Sequence, residues 1–453
     1  METAKHKAQP LWLSFFPIVW ILLVLCVSSL CLADDSVKRS AIVGANLLDV
    51  DTGKLIHDSL VVIQGSRITY AGPLQDDRVP SQGKLVNGRG KTIIPGLVDL
   101  HTHIRSPYLA RFFLAAGVTT VRELGSPVRP LLGLVSKVDA GLLPAPRVVP
   151  WIAVSASGQP PFSHVISEKS QFSSFFNFVE KEKFQGLKIF DFPSHLFPLL
   201  VSESQKRGLM AAVHVDRMSP AEAIRAGSNT IEHIVFLICD LLPACGKHSR
   251  MTAQLMQGWK DLEINSVEVQ QLIVELKKHK IALVPTLSAM EGILYPNKIE
   301  ILQPDIKYLG PGIKKSFLKG IYRSDFVADW QDEDWEIARM AFKKMLKFVG
   351  ELHRSGVVIL AGSDNFIPGF GIHRELQLLV DGGLRPVEAL EAVTLGAARL
   401  LGEESSRGSL QEGKFADLVI INGDPLQDIT RTRDIVYIVK EGKFFHPEVL
   451  IGK

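Results

Sequence analysis

Six side chains along this chain carry the residue types of a metal site. They are His101 and His103 in Leu-His-Thr-His, Lys188 in Gly-Leu-Lys-Ile-Phe, His214 in Ala-Ala-Val-His-Val, His233 in Ile-Glu-His, and Asp364 in Ala-Gly-Ser-Asp. Imidazole nitrogens and carboxylate oxygens are common ligands of zinc-like cations. His101 and His103 stand two residues apart at the end of the apolar run Leu97 to Leu100, and strand side chains at i and i+2 point the same way. Taken singly, each residue also has a plain structural reading. The histidines fit imidazoles bonded to carbonyls, Lys188 a snorkelling lysine, and Asp364 a helix cap. His164, in Gln-Pro-Pro-Phe-Ser-His, and Arg217, just beyond His214, are weaker candidates for holding a substrate oxygen or carboxylate.

The elements that must position these residues are short apolar runs alternating with helical stretches, the pattern of a parallel sheet with crossover helices. Eight runs read this way: 97–100, 119–123, 147–153, 186–190, 211–215, 230–232, 282–286 and 357–361. The pattern predicts a (β/α)8 TIM barrel, whose active site lies at the C-terminal strand ends. Five of the eight runs carry or end in one of the six residues. A doubly wound open sheet is the alternative, weakened by the lack of a Gly-rich phosphate loop after the first run. Glu123 and Arg122 end the second run and invite pairing with each other. The connection after Leu287 runs for about 70 residues, with helices expected over 313–322 and 335–352. Its charge runs Lys314-Lys315 and Asp332-Glu333-Asp334 read as solvated faces, with a lid as the alternative.

Both flanks read as strands. Segments 41–48, 59–64, 67–71 and 84–86 precede the barrel, and 416–421 and 435–439 follow it, with turns at Asp51-Thr52-Gly53, Gly65-Ser66, Asn422-Gly423-Asp424 and Glu441-Gly442. A small β-sandwich domain built from both ends is the expectation. The predicted division is 1–33 as a signal peptide or membrane anchor, 34–94 and 403–453 as the two parts of the sandwich, and 95–402 as the barrel.

At 453 residues and 46% hydrophobic content the chain has the composition of a globular protein with a large core. A net charge of +3 from 51 basic and 48 acidic side chains gives no field for nucleic acid or an anionic surface. Expected partners are therefore a small-molecule substrate and no nucleic acid, with homo-oligomerisation left open. Lys5, His6 and Lys7 precede an uncharged run from Leu11 to Ala33, which reads as a secretory signal. The run approaches the ~20 residues of a membrane span, so an uncleaved anchor is the alternative. Either way the protein is expected to be exported. Cys26 and Cys31 leave with a cleaved signal; Cys239 and Cys245 form either one disulfide or two buried thiols.

The order His-x-His, Lys, His, His, Asp resembles the amidohydrolase superfamily, in the branch with imidazolonepropionase-like and exported Xaa-Pro dipeptidase-like proteins. Further motifs match from Ser40 to Phe444: Ile94-Pro95-Gly96-Leu97-Val98-Asp99, Gly117 to Arg122, Ala226-Gly227 before Ile231-Glu232-His233, Glu375-Leu376 with Gly383-Leu384, and Gly413-Lys414 before Ala416-Asp417-Leu418. The resemblance implies two divalent metal ions, one on His101, His103 and Asp364, the other on His214 and His233. Lys188 would bridge them as a carboxylated lysine, since a bare ammonium has no lone pair to offer. Imidazolonepropionases and deaminases of the superfamily use one metal and lack that lysine, so the two-metal class is expected. Zinc is the default for a histidine-rich site, and carboxylate ligands also suit manganese or iron. The implied reaction is hydrolysis of amide-type C–N bonds in a dipeptide, N-acyl amino acid or cyclic amide by a metal-bridged hydroxide, with Asp364 as proton shuttle. A lactone, ester or phosphotriester hydrolase on the same site, or an inactive metal-binding protein, is the alternative.

Overall fold

The computed structural model describes residues 39–104, 106–242, 251–295, 298, 304–312, 314–315, 327, 330–364 and 367–452. The expected signal segment, Cys245 and most of the expected helix 313–322 lie outside the described residues. Cys239 is disulfide-bonded.

Strands β1 (Arg39–Asp49), β2 (Lys54–Gln64), β3 (Arg67–Pro73), β4 (Lys84–Asn87) and β5 (Lys91–Pro95) open the chain. Strands β15 (Leu418–Asn422), β16 (Ile435–Lys440) and β17 (Lys443–Phe445) come near its end. All eight lie in one hydrogen-bonded sheet, ordered β17-β16-β15-β5-β1-β2-β3 with β4 on β1. The two ends of the chain meet where β15 pairs antiparallel with β5, from Leu418 opposite Pro95 to Asn422 opposite Lys91. The apolar face of this sheet buries Ile42, Leu47, Val61, Ile63, Ile93, Leu418, Ile420 and Val439. A second hydrogen-bonded layer facing this sheet, as a sandwich would require, is not among the sheets of the described residues.

The central region is a second sheet, curled and parallel, of β6 (Leu97–Thr102), β7 (Val118–Glu123), β8 (Arg147–Ser155), β10 (Gly186–Ile189), β11 (Met210–His214), β12 (Thr230–Glu232), β13 (Ala282–Val284) and β14 (Val358–Ile359). The short β9 (His164–Val165) pairs with β8. Each strand neighbours the next in sequence, whereas a doubly wound sheet reverses its order part-way. The order is that of a (β/α)8 barrel. The first and last strands meet through Leu100 N–H donating to Ala361 O (3.1 Å) and Asp364 N–H donating to His101 O (2.9 Å). Gly362 permits that approach, since a Cβ there would fall 2.5 Å from the His101 Cβ.

Helices cover the outside because their sequences present one apolar stripe. Val267–Lys278 begins on Ser266, whose side chain accepts from Val269 N–H, and buries Val269, Ile273 and Leu276 one turn apart. Asp332–Arg354 has an acidic first turn, which suits the positive end of the helix dipole, and buries Ala338, Ala341, Phe342, Met345, Phe348, Val349 and Leu352. The long connection between β13 and β14 is anchored by Arg374, whose guanidinium donates to both oxygens of Glu291 (2.7 and 2.6 Å), and by Arg433, which reaches Asp305 at 3.0 Å. Among the described residues no helix is long and apolar enough to cross a membrane.

Candidate metal centre

Asp364, five residues beyond β14, stands at the centre of the cluster. Its Oδ1 lies 3.3 Å from His103 Nε2 and 3.7 Å from His101 Nε2, and its Oδ2 lies 3.8 Å from His233 Nδ1. Ligand atoms of His101, His233 and Asp364 all fall within 4.8 Å of one another, close enough to share a cation. The His214 and His233 rings are 4.5 Å apart and those of His101 and His233 4.7 Å apart. His101, His103, His233 and Asp364 thus lie together at the C-terminal end of the curled sheet, and His214 joins them through His233.

The strands explain the arrangement. Lys188 sits opposite Ala153 of β8 and Ala212 of β11, so its long side chain has small residues on both sides. It is fully buried and its Nζ has no hydrogen-bond partner. Burial pushes this ammonium down to about 8, against the pull of Glu232 and Asp364. His233, Thr286 and Asp364 adopt positive φ of 66°, 51° and 50°, conformations that non-glycine residues tolerate where surrounding structure enforces them.

A buried scaffold orients the ligands. His101 Nδ1 meets Glu232 Oε2 at 2.7 Å, and Glu232 Oε1 accepts from Arg122 Nη2 (2.7 Å) and from Thr230 Oγ1 (2.5 Å). Arg122 therefore pairs with Glu232 and not with its neighbour Glu123. The Glu123 carboxylate instead accepts from Ile104 N–H, Gly125 N–H and Ser126 Oγ, fixing the turn whose Gly125 carbonyl accepts from His103 Nδ1 at 2.8 Å. Asp99 accepts from the N–H groups of His101 (3.1 Å) and Ser363 (2.9 Å) and from Ser363 Oγ (2.5 Å), joining β6 to the segment that carries Asp364. His233 Nδ1 lies 2.8 Å from Thr286 Oγ1. At His101 and His103 the contact at Nδ1 leaves Nε2 to face Asp364, whereas at His233 Nδ1 meets both Thr286 and Asp364.

Electrostatics favour ligand-ready states at three of the four histidines; at His103 burial is outweighed by the hydrogen bond to Asp364 and its charge, which raise the imidazole. Burial, followed by the charge of Lys188, holds His101 well below its ordinary value. Burial and then the neighbouring His214 and His101 do the same to His233, and burial lowers His214. These imidazoles are neutral at physiological pH and keep a lone pair. Burial alone would raise Asp364, but His101, His103 and Lys188 bring it down to about 2, so it is ionised. Burial likewise opposes ionisation of Glu232, and Arg122 more than offsets this, keeping it below the usual carboxylate range.

The His164 ring packs on Phe175 (5.1 Å) and stacks on Phe178 (5.8 Å) of the helix Phe172–Lys181. Arg217 lies 3.6 Å from Asp191, and its N–H donates to Asp216. Asp99, Arg122 and Glu232 were given no site role by sequence reasoning, although a carboxylate or guanidinium inside an apolar strand was a visible signal.

The family model for the amidohydrolase family matches residues 92–445. This chain belongs to the amidohydrolase family. Among curated relatives, the ochratoxinase of Aspergillus niger is 28% identical over 205 residues, covering 44% of this chain and 36% of its own length. The chain thus spans about a third of that relative. The imidazolonepropionase of Sphingopyxis alaskensis is 24% identical over 397 residues, 83% of this amidohydrolase and 90% of that one. Among solved structures, a Xaa-Pro dipeptidase with methionine bound in its active site superposes with a TM-score of 0.66 at 19% identity, covering 90% of this chain and all of that one, a likeness of fold.

Proposed function

We propose that this amidohydrolase is a metal-dependent hydrolase of amide-type C–N bonds in small substrates such as dipeptides, N-acyl amino acids or cyclic amides, on a two-metal centre in a (β/α)8 barrel. The observation that carries the reading is the convergence of His101, His233 and Asp364 beside a fully buried Lys188. The residues fit the implied ions. His101 Nε2, His214 Nδ1 and Lys188 Nζ are buried polar atoms without hydrogen-bond partners, and such atoms are costly unless something binds them. His101, His103 and Asp364 would hold one ion, His214 and His233 the other. Lys188 would join them once carboxylated: its neutral amine attacks carbon dioxide, a proton leaves, and an anion with two oxygens replaces a buried ammonium. Its lowered value favours the neutral amine this step requires.

Bound divalent ions supply an acidified water, its pKa brought from 15.7 towards roughly 7, and a polarised carbonyl. The chain's own part is positioning and proton transfer. Asp364 is ionised, held by its N–H to His101 O, and directed among three imidazoles, so it can take a proton at its carboxylate and pass it to the leaving nitrogen. Glu232 and Gly125 O hold His101 and His103 in single orientations. Relatives named as a dipeptidase and an imidazolonepropionase support the substrate class. Zinc is the proposed metal. Export by the N-terminal segment is also proposed, and the disulfide at Cys239 supports an oxidising compartment.

The test is metal analysis by mass spectrometry followed by hydrolysis of a dipeptide, an N-acyl amino acid, a cyclic amide and a lactone. Two metals per chain with amide cleavage are expected, falling to one or none in Lys188→Ala. Cleavage of the lactone alone would move the activity to esters, and two metals with no turnover would make the protein a binder.

A further inference from the structure

Two half-buried phenylalanines, Phe162 and Phe190, flank the histidine cluster and pack against its rings. Phe162, in the loop after β8, lies 6.2 Å from the His103 ring. Phe190, immediately after β10, stacks on His214 at 5.6 Å, and the two phenylalanines meet edge to face at 6.1 Å. The position of Phe162 depends on Gly125, where a Cβ would fall 2.7 Å from the ring. The same Gly125 supplies the carbonyl that orients His103. The ring is therefore seated on the turn that fixes a ligand, rather than filling the hydrophobic interior. Just past Phe190, Asp191 pairs with Arg217, so the outer edge of this wall presents a neutralised pair. An open aromatic surface beside a polar cluster gains most when an apolar group covers it.

Strand order gives the wall a direction. Asp364 follows the eighth strand of the curled sheet, whereas Phe162 and Phe190 follow the third and fourth, on the far side of the ring of strands. On the hydrolase reading above, Asp364 hands its proton to the leaving nitrogen. The nitrogen then lies on the β14 side and the acyl group extends towards β8 and β10. We propose that Phe162 and Phe190 form the acyl-group subsite and select substrates whose acyl side chain is aromatic or bulky and apolar. The inference rests on the hydrolase reading and adds the substrate class to it.

Three substrates separate the two sides of the amide: N-(3-phenylpropanoyl)glycine, N-acetylglycine and N-acetylphenylalanine. The zinc-loaded wild type should prefer the first over the second by about 10-fold or more in kcat/KM, the discrimination expected of an apolar pocket. That ratio should fall towards one in Phe162→Ala and Phe190→Ala and be partly kept in Phe162→Leu, which serves if the alanine variant does not fold. A preference for N-acetylphenylalanine over N-(3-phenylpropanoyl)glycine, or a ratio unmoved by either substitution, overturns the subsite. Calorimetry with 3-phenylpropanoate against propanoate needs no turnover. Tighter binding of the aromatic acid, lost in Phe162→Ala, would uphold the subsite even if no amide were cleaved and the hydrolase reading failed. Equal binding of the two acids would overturn the subsite whatever the activity.

Discussion

His101, His103 and Asp364 are held by hydrogen bonds to a buried charged scaffold, whereas His214 lies between the Phe190 and Phe236 rings with its Nδ1 unpartnered. On the first side, Glu232 and Arg122 fix His101, and Glu123 fixes the turn that holds His103. On the second, His233 is tied to Thr286 through one contact. Ligands locked by their neighbours lose little freedom when an ion arrives, so the first half should bind more tightly than the second. One cluster thus combines a rigid half with a half that gains order from what it binds.

The largest test of this contrast is Asp364→Asn. It should lower kcat about 10²–10⁴-fold while metal content stays near that of the parent, because the amide keeps an oxygen ligand but cannot take a proton. Undiminished kcat would remove Asp364 from proton transfer. Next comes Glu232→Gln, expected to weaken metal binding in the rigid half about 10–100-fold. It should also destabilise the fold by about 3–5 kcal/mol, since Arg122 is left buried without its counter-charge. Adding Arg122→Met should restore stability and not metal affinity; a double variant that regained both would reduce the pair to packing. Smaller still is the effect of graded chelation, which should remove metal in two steps. The early step should vanish in His214→Ala, and a single step in the parent would erase the distinction between the halves.

The smallest expected effect concerns Glu375, which accepts from Leu287 N–H (2.9 Å) and Ser288 N–H (2.7 Å) and so holds the turn bearing Thr286. Burial raises this carboxyl to about 8. A raised carboxyl binds its proton more tightly in the folded chain, so the stability it contributes is complete below about pH 4.5 and is lost as pH rises through 8. Tm should therefore fall between about pH 5 and 8 and level off above that. Glu375→Gln has no proton to lose and should flatten that fall, and parallel curves would show that Glu375 is not its source.

The strands and the residues that cluster at their ends were legible because both follow from local rules: apolar runs of strand length, with a polar residue where many of the runs end. Most strand bounds shifted by one or two residues, but β2 begins five residues earlier than expected, β5 and β17 were not foreseen, and β14 shrank to Val358–Ile359 because its neighbours bond to β6 and β13 outside a regular ladder. The scaffold was illegible for a different reason. Arg122 and Glu232 lie 110 residues apart, and their pairing depends on strand order in the finished sheet. The expected pairing of Arg122 with Glu123 was excluded by the alternation of strand side chains, which sends neighbours to opposite faces. The sandwich expectation followed from counting strands at both ends; strand counts do not reveal which strand of one flank pairs with which of the other, here β5 with β15.

Asp99 and Ser363 are 264 residues apart, and their hydrogen bonds form the seam beside which His101 and Asp364 face each other. Closing so long a loop is among the most entropically costly steps available to a folding chain. The cluster is therefore complete only when the seam is closed. A folding intermediate with an open seam would lack the carboxylate of Asp364 and hold metal poorly. Metal added during refolding should then act on the finished state, slowing unfolding more than it hastens folding.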